Sequence, residues 1–157
     1  MVVPQCPAGQ KWSDEILLGI LDRVSAKYAV DTNRIYLTGL SMGGFGAWSL
    51  ATTYPERFAA VAPICGGDGV IGVVLSKLDE QKISDLKKLP FWVFHGAKDN
   101  VVPLAESQRM VDMLKEAGVK EVKFTVYPEA MHNSWTETYN NPELYQWFLA
   151  HERESSK

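Results

Sequence analysis

Three side chains in this sequence, Ser41, Asp99 and His132, have the types and the order required for nucleophilic catalysis. A serine hydroxyl is a poor nucleophile at neutral pH, so it needs a histidine as base. The histidine in turn needs a carboxylate that fixes its tautomer and stabilises its cation. Whether these three side chains can meet depends on the strands and helices that carry them.

Ser41 lies in the segment Gly39–Gly43, between a strand-like run (34–38) and a helix-like run that begins at Gly44. This context predicts a nucleophile elbow, a tight strand-to-helix turn from which the serine Oγ projects. The glycines two before and two after the serine would let the strand and the helix approach closely. The backbone N–H of Met42 would stabilise negative charge on the attacked carbonyl oxygen. For so short a motif, a plain glycine-containing turn is the alternative.

His132 is the most suitable base among the three histidines of the chain. It follows the strand-like run Val122–Tyr127 and lies in a loop before another helix, where catalytic groups concentrate. His95 ends an apolar strand-like run and is predicted to be structural. His151 lies in a charged tail, where a solvated helix end is expected.

Asp99 is the preferred acid because it follows one predicted strand (91–95), as His132 follows the next. In a parallel sheet both would emerge at the edge that carries Ser41. An Asp-Asn pair also favours turns and helix caps, so a structural role for Asp99 is the alternative. Asp68, which follows the predicted strand 58–64, is the second choice for the acid.

The rest of the sequence alternates strand-like and helix-like runs, which predicts a mostly parallel sheet with helices on both faces. Strands are expected near Val2, Ile35, Ala60, Val93 and Phe124. Helices are expected after Ser13, after Ser41, from Pro103 to Gly118 and from about Pro142. The apolar stripe of the first helix would consist of Ile16, Leu17, Ile20, Leu21 and Val24, and that of the last of Leu144, Tyr145, Phe148 and Leu149.

The length of 157 residues and the hydrophobic content of 46% predict one α/β domain over residues 1–157. Within it, the segment 66–90 is expected to be either a mobile cap over the site or a connecting helix with a loop. Trp135, three residues past His132, either lines a substrate pocket or packs in the core.

Composition excludes several classes of function. A net charge of −3 with scattered basic residues predicts no nucleic-acid partner. No apolar run approaches the roughly 20 residues that span a bilayer, and no signal peptide is visible, so a cytoplasmic protein without a membrane partner is expected. Cys6 and Cys65 lack metal-ligand spacing and are expected to be free thiols, and no cofactor or metal is expected.

Segments 31–44 and 54–60, together with 63–67, 95–99 and 135–148, resemble serine esterases of the α/β-hydrolase fold. The resemblance is to the dienelactone-hydrolase-like, phospholipase/carboxylesterase-like and polyhydroxybutyrate-depolymerase-like group, and it covers nearly the whole chain. It implies a carboxylesterase for small-molecule, short-chain esters, with Ser41 as nucleophile, Asp99 as acid and His132 as base. Dienelactone hydrolase itself uses a cysteine, so Ser41 favours the serine route. A non-catalytic binding module, or a peptidase or thioesterase with the same residues, remains open.

Proteins that this chain resembles carry further strands before the segment matching 2–7, and a His-Gly loop that supplies a second oxyanion donor. Here Met1 precedes Val2 directly, so the chain is expected to lack the first strands, as a short natural form, a gene fragment or an alternative start. One missing donor would slow turnover by about a hundred- to a thousand-fold. The open edge beside the Ile35 strand would be closed either by Val2–Val3 or by another copy of the chain, and a homodimer or larger oligomer is predicted.

Overall fold

The computed structural model describes residues 1–68 and 78–153. In these ranges strands and helices alternate, joined by short turns such as the 3₁₀ turn Pro55–Arg57. None of the described helices is both long enough and apolar enough to cross a membrane. In chain order the elements are α1 (Asp14–Lys27), β1 (Tyr36–Leu40), α2 (Met42–Thr53), β2 (Ala60–Ile64), α3 (Glu80–Lys88), β3 (Phe91–Gly96), α4 (Leu104–Glu116), β4 (Val122–Tyr127), α5 (Trp135–Asn140) and α6 (Pro142–Leu149).

The four described strands form one parallel sheet in the order β1-β2-β3-β4. The register pairs Tyr36 with Ala60 and Phe91 with Val122. β2 and β3 are buried along their whole length, which explains their nearly continuous apolar sequences. Because the strands are parallel, their carboxyl ends meet at one edge of the sheet, and the predicted α/β architecture is confirmed.

Helices cover both faces of this sheet, as alternate residues of each strand point to opposite faces. On one face, Trp48 of α2, Leu86 of α3 and Met110 of α4 pack in one core cluster with Val61 and Phe91. On the other face, α6 contributes most of the helical packing. That second cluster joins Leu144, Trp147 and Phe148 to Ala62, Trp92 and Phe94.

Two of the predicted helical stripes are partly wrong. In α1, Ile16 is 63% exposed. Leu18, which the predicted stripe omits, packs against the first core cluster beside Leu17 and Leu21. In α6, Tyr145 and Leu149 are exposed and Trp147 is buried instead. Each predicted stripe thus lies on the correct helix but is rotated by about one residue.

The strand predicted near Val2 is absent, since residues 1–7 contain neither helix nor strand. Val2 and Val3 are exposed, and the flanking Pro4 and Pro7 have no backbone N–H to donate to a strand ladder. The strand predicted at 34–38 runs instead from Tyr36 to Leu40.

Of the segment 66–90, residues 69–77 lie outside the described ranges, and the possible cap there is not described. The part that follows forms α3, which Asp79 caps by accepting a hydrogen bond from the backbone N–H of Lys82 at 2.8 Å. Leu86 and Leu89 of this part belong to the first core cluster. The helix Glu80–Lys88 and its C-cap Leu89 therefore form a connection that packs on the sheet.

Candidate functional site

Ser41 lies in the predicted strand-to-helix turn, between the last residue of β1 and the first residue of α2. Its backbone has φ of 50° and ψ of −116°, a conformation that residues other than glycine rarely adopt. The Ser41 N–H donates to the carbonyl of Ile64 at 3.0 Å, and its carbonyl accepts from Phe45 N–H at 3.1 Å. The end of β2 and the first turn of α2 thus hold the strained serine in place.

The close approach at this turn depends on Gly39 and Gly44, whereas the sequence motif singled out Gly39 and Gly43. A Cβ at Gly39 would lie 2.2 Å from the Gly43 carbonyl oxygen, and one at Gly44 would lie 2.6 Å from the Ile64 carbonyl oxygen. A Cβ at Gly43 would meet no described atom within 4 Å. The prediction that Gly43 provides room for packing is therefore wrong.

His132 joins Ser41 to Asp99 through two short contacts. Its Nε2 lies 2.8 Å from Ser41 Oγ, and its Nδ1 lies 2.7 Å from Asp99 Oδ2. These three residues are called the Ser–His–Asp triad below. Asp68, the second choice for the acid, instead lies in the segment after β2, where its backbone carbonyl accepts from the Arg109 side chain at 2.6 Å.

The Asp99 side chain is fully buried and is held by several donors. Its Oδ1 accepts from the backbone N–H groups of Val101 and Val102, both at 2.9 Å. Burial is the largest single influence and opposes ionisation. The hydrogen bonds from His132, Val102 and Val101 together outweigh it, so the pKa of Asp99 lies below its usual value. Asp99 is therefore an ionised acceptor for His132 Nδ1–H at neutral pH.

The loop that carries His132 crosses the end of β3 at Gly96. A Cβ there would lie 2.2 Å from the Met131 carbonyl oxygen and 2.4 Å from that of Ala130. The Lys98 N–H also donates to the Ala130 carbonyl at 3.0 Å. Only a glycine allows the loop to pass this close, and the crossing places His132 beside Asp99.

Met42, the predicted oxyanion donor, is the first residue of α2. The backbone N–H groups of a first helical turn have no acceptor within the helix, and the helix dipole makes that end favourable for negative charge. The Met42 N–H therefore lies at a helix end that favours negative charge, one residue after Ser41.

Cys65 follows β2 and lies beside the triad. Its thiol, one Asp99 oxygen and one His132 nitrogen lie within 4.8 Å of one another. Burial raises the pKa of Cys65 above its ordinary value, which keeps the thiol protonated.

Trp135 both contacts His132 and packs in the core. Its ring lies edge-on to the His132 ring, with centroids 5.4 Å apart, and it packs against the second core cluster. His151 was predicted to lie at a solvated helix end. It packs instead on the Trp147 ring. Its Nδ1 lies 2.7 Å from the Trp147 carbonyl oxygen and its Nε2 lies 3.2 Å from Glu121 Oε2.

His95, predicted to be structural, is a second histidine beside the triad, a position that the sequence prediction did not give it. Its Nε2 lies 3.2 Å from Asp99 Oδ2, and its side chain is fully buried. The spacing of four residues between His95 and Asp99 across the end of β3 was the available signal.

Two open depressions lie away from the triad, at the amino ends of the strands. One includes Ile35, which precedes β1, and the other includes Ala59, Pro90 and Lys120, which precede the other three strands. In open α/β sheets ligands bind at the carboxyl ends of the strands, where the triad lies.

Two curated proteins that resemble this chain are named as hydrolases of thioesters or esters. Acyl-protein thioesterase 1 of Emericella nidulans is 29% identical over 112 residues, which are 67% of this chain and 43% of that protein. Carboxylesterase SOBER1 of Arabidopsis thaliana is 28% identical over 114 residues, 73% of this chain and 47% of that protein. The chain thus spans less than half the length of these two curated relatives.

Among solved structures, a thermostable esterase superposes with a TM-score of 0.80 at 36% identity, covering 96% of this chain and 43% of that chain. A family model described as Phospholipase/Carboxylesterase matches residues 13–143. The parallel sheet, with a serine in the turn after β1, agrees with this match. The chain therefore belongs to the phospholipase/carboxylesterase family and has the α/β-hydrolase fold.

Proposed function

We propose that this protein is a serine carboxylesterase that hydrolyses short-chain carboxylic esters through an acyl-enzyme on Ser41. The observation that carries the proposal is the position of His132, whose two ring nitrogens lie 2.8 Å from Ser41 Oγ and 2.7 Å from Asp99 Oδ2. This is the arrangement that a general base for a serine nucleophile requires. Membership of the family and the similarity to a thermostable esterase support the proposal.

In the proposed reaction, Ser41 Oγ forms a bond to the ester carbonyl carbon as His132 Nε2 takes the hydroxyl proton. The Met42 N–H donates to the oxyanion of the tetrahedral intermediate. The bond to the alcohol then breaks, and His132 returns its proton to the departing oxygen. Water repeats the same steps on the acyl-enzyme and releases the acid, while Asp99 holds the imidazole throughout.

The surface next to the triad suits an apolar acyl group. Several large apolar side chains close to the triad in sequence are exposed: Leu40, Met42, Phe45, Val101 and Met131. The partly buried ring of Trp135, next to His132, would form one wall of this surface. An apolar surface with a few polar groups at its centre is typical of ligand sites.

We expect Ser41→Ala to abolish labelling by a fluorophosphonate probe and to remove nearly all hydrolysis of p-nitrophenyl esters. The variant has no Oγ to attack, although the His132–Asp99 contact remains. Labelling is measured by mass spectrometry of the intact protein. Ser49→Ala is the matched control, since Ser49 also lies on α2 but its hydroxyl donates to Asp14 at 3.0 Å. Labelling that persists in Ser41→Ala would show that the site lies elsewhere.

A thioesterase is the second candidate function, because one relative is acyl-protein thioesterase 1. The triad geometry serves ester and thioester hydrolysis equally. A panel of p-nitrophenyl esters, acyl thioesters and amides, compared by kcat/KM, separates the two candidates and also tests a peptidase. Preference for thioesters or for amides would contradict the carboxylesterase assignment.

We also propose that the chain forms a homodimer or larger oligomer through the outer edge of β1, which no described strand pairs with. Leu40 at this edge is exposed, and open strand edges pair readily with other chains. Light scattering at micromolar concentration is expected to give at least twice the monomer mass. Leu40→Lys is expected to favour the monomer, whereas Leu149→Lys, on the exposed side of α6, leaves the mass unchanged. A stable wild-type monomer would contradict the proposal.

A further inference from the structure

We infer that His95 is a positioning residue for the triad: it clamps the loop that carries Asp99 and draws part of the carboxylate charge away from His132. This role rests on the proposed function, because it concerns the acid of that triad. His95 lies in β3, one residue before the glycine at which the His132 loop crosses the strand.

The contacts of His95 connect β3 to both sides of the Asp99 loop. Its Nε2 lies 2.9 Å from the Val102 carbonyl oxygen and 3.2 Å from Asp99 Oδ2. The Val102 N–H in turn donates to Asp99 Oδ1 at 2.9 Å. One imidazole edge therefore holds the loop by its backbone and also lies beside the carboxylate.

The tautomer of His95 follows from these partners. Both oxygens near Nε2, those of Val102 and Asp99, are acceptors, so Nε2 must carry a proton. Nδ1 lies 2.7 Å from Ser107 Oγ, and Ser107 Oγ lies 2.9 Å from the Gly66 carbonyl oxygen. Ser107 Oγ donates its one proton to the Gly66 carbonyl and so accepts from Nδ1 when that nitrogen carries a proton; when it does not, the hydroxyl proton can turn to Nδ1 instead. The Nε2–H beside Asp99 is thus present in both states.

The His95 N–H next to Asp99 Oδ2 reduces the negative charge that acts on His132. The reason is that Oδ2 is also the oxygen that contacts His132 Nδ1. The negative charge of Asp99 stabilises protonated His132. The His95 N–H draws on the same charge and so limits this stabilisation. His95 and His132 thus share the charge of one carboxylate oxygen.

The other titratable groups near the triad lie on different elements. Cys65 approaches from the end of β2, and burial raises its pKa so that it remains neutral. Tyr139 of α5 also has a raised pKa because of burial, and its hydroxyl contacts Thr38. On α4, Glu106, the residue before Ser107, forms an ion pair with Arg109 at 3.1 Å. The charged group that faces both histidines is Asp99.

The test compares the pH dependence of kcat/KM for a p-nitrophenyl ester in His95→Leu, His95→Gln and wild type. In His95→Leu we expect kcat to fall about tenfold, because one buried hydrogen bond to the loop is lost. We also expect the pH at half-maximal activity on the acid side to rise by about half a unit, since His132 then shares the Asp99 charge with no second imidazole. His95→Gln keeps a side-chain N–H and is expected to restore most of both values.

A purely structural role for His95 predicts a different result. Loss of support would let Asp99 move away from His132. The pH at half-maximal activity on the acid side, called the half-point here, would then stay unchanged or fall. Thr52→Val is the control for buried polar groups, since the Thr52 hydroxyl donates to the Trp48 carbonyl at 2.8 Å. It is expected to lower stability without moving the half-point.

Two further measurements keep the outcome decisive. Fluorophosphonate labelling of wild type at Ser41 comes first, because its absence overturns the proposed function and with it the role of His95. With labelling present, a half-point that does not rise in His95→Leu overturns the role of His95 alone. If His95→Leu does not fold, His95→Met replaces it, since methionine fills buried space flexibly and also has no N–H to offer Asp99; no rise in that variant overturns the inference.

Discussion

Asp99→Asn is expected to lower kcat for ester hydrolysis by about 10⁴-fold with little change in fold. The carboxylate accepts Nδ1–H of His132, which leaves Nε2 free to take the Ser41 proton. An asparagine can present an N–H to Nδ1 instead, which favours the tautomer that carries its proton on Nε2. His132 would then have no lone pair for the serine hydroxyl. Steady-state kinetics on a p-nitrophenyl ester measures the loss.

Asp112→Asn is the matched control, because Asp112 is exposed on α4 and accepts from Gln108 at 2.9 Å. It is expected to leave kcat unchanged.

Asp99 also makes a pH-dependent contribution to folding, since its pKa is lower in the folded protein. That contribution is complete above about pH 4, the unfolded value, and is lost as pH falls through the folded pKa. In urea titrations, the free energy of unfolding of Asp99→Asn should lack this loss at acid pH. Separately, a kcat of Asp99→Asn within tenfold of wild type would contradict the catalytic role assigned to Asp99.

Gly44→Ala is expected to destabilise the fold by about 3 kcal/mol or more, while Gly43→Ala at the preceding position is tolerated. The Cβ at Gly44 would lie 2.6 Å from the Ile64 carbonyl oxygen and 3.1 Å from the Gly66 Cα. These are backbone atoms, so they cannot rotate away as a side chain would. The start of α2 would have to separate from the end of β2, and the Ser41 turn lies between them.

Gly43→Ala is the matched control because it lies in the same helical turn and meets no described atom within 4 Å. Alanine stabilises a helix by up to about 1 kcal/mol relative to glycine, so this variant should unfold at an equal or higher urea concentration. Equal destabilisation by the two variants would show that helix propensity or backbone conformation, and not the close approach to β2, explains the role of Gly44.

The parallel sheet and the triad could be predicted from sequence because both depend on patterns that are local or ordered along the chain. β3 and β4 are continuous apolar or alternating runs, and the loop after each supplies Asp99 or His132. Ser41 was recognisable from the glycines around it. Such signals need no knowledge of which side chains lie opposite each other.

The remaining features depend on contacts between distant segments. Gly44 approaches the end of β2, and Gly96 approaches the loop before His132. That these positions have no room for a Cβ is evident only once those segments are in place. Val2 has strand propensity, but the flanking prolines and the absence of a described partner strand leave it exposed. Leu18 replaces Ile16 in the core because the rotation of α1 on the sheet is set by the packing surface and not by periodicity alone.

The order of the strands has a kinetic consequence. Ser41 leaves β1 and His132 leaves β4, at opposite ends of the described sheet and 91 residues apart in the chain. Each parallel pairing requires a crossover, and the entropy of closing these long loops is lost before the contacts form. The contact between Ser41 and His132 therefore requires both outer strands of the described sheet to be in place. Under the proposed function, the gain of ester hydrolysis during refolding would report completion of this sheet.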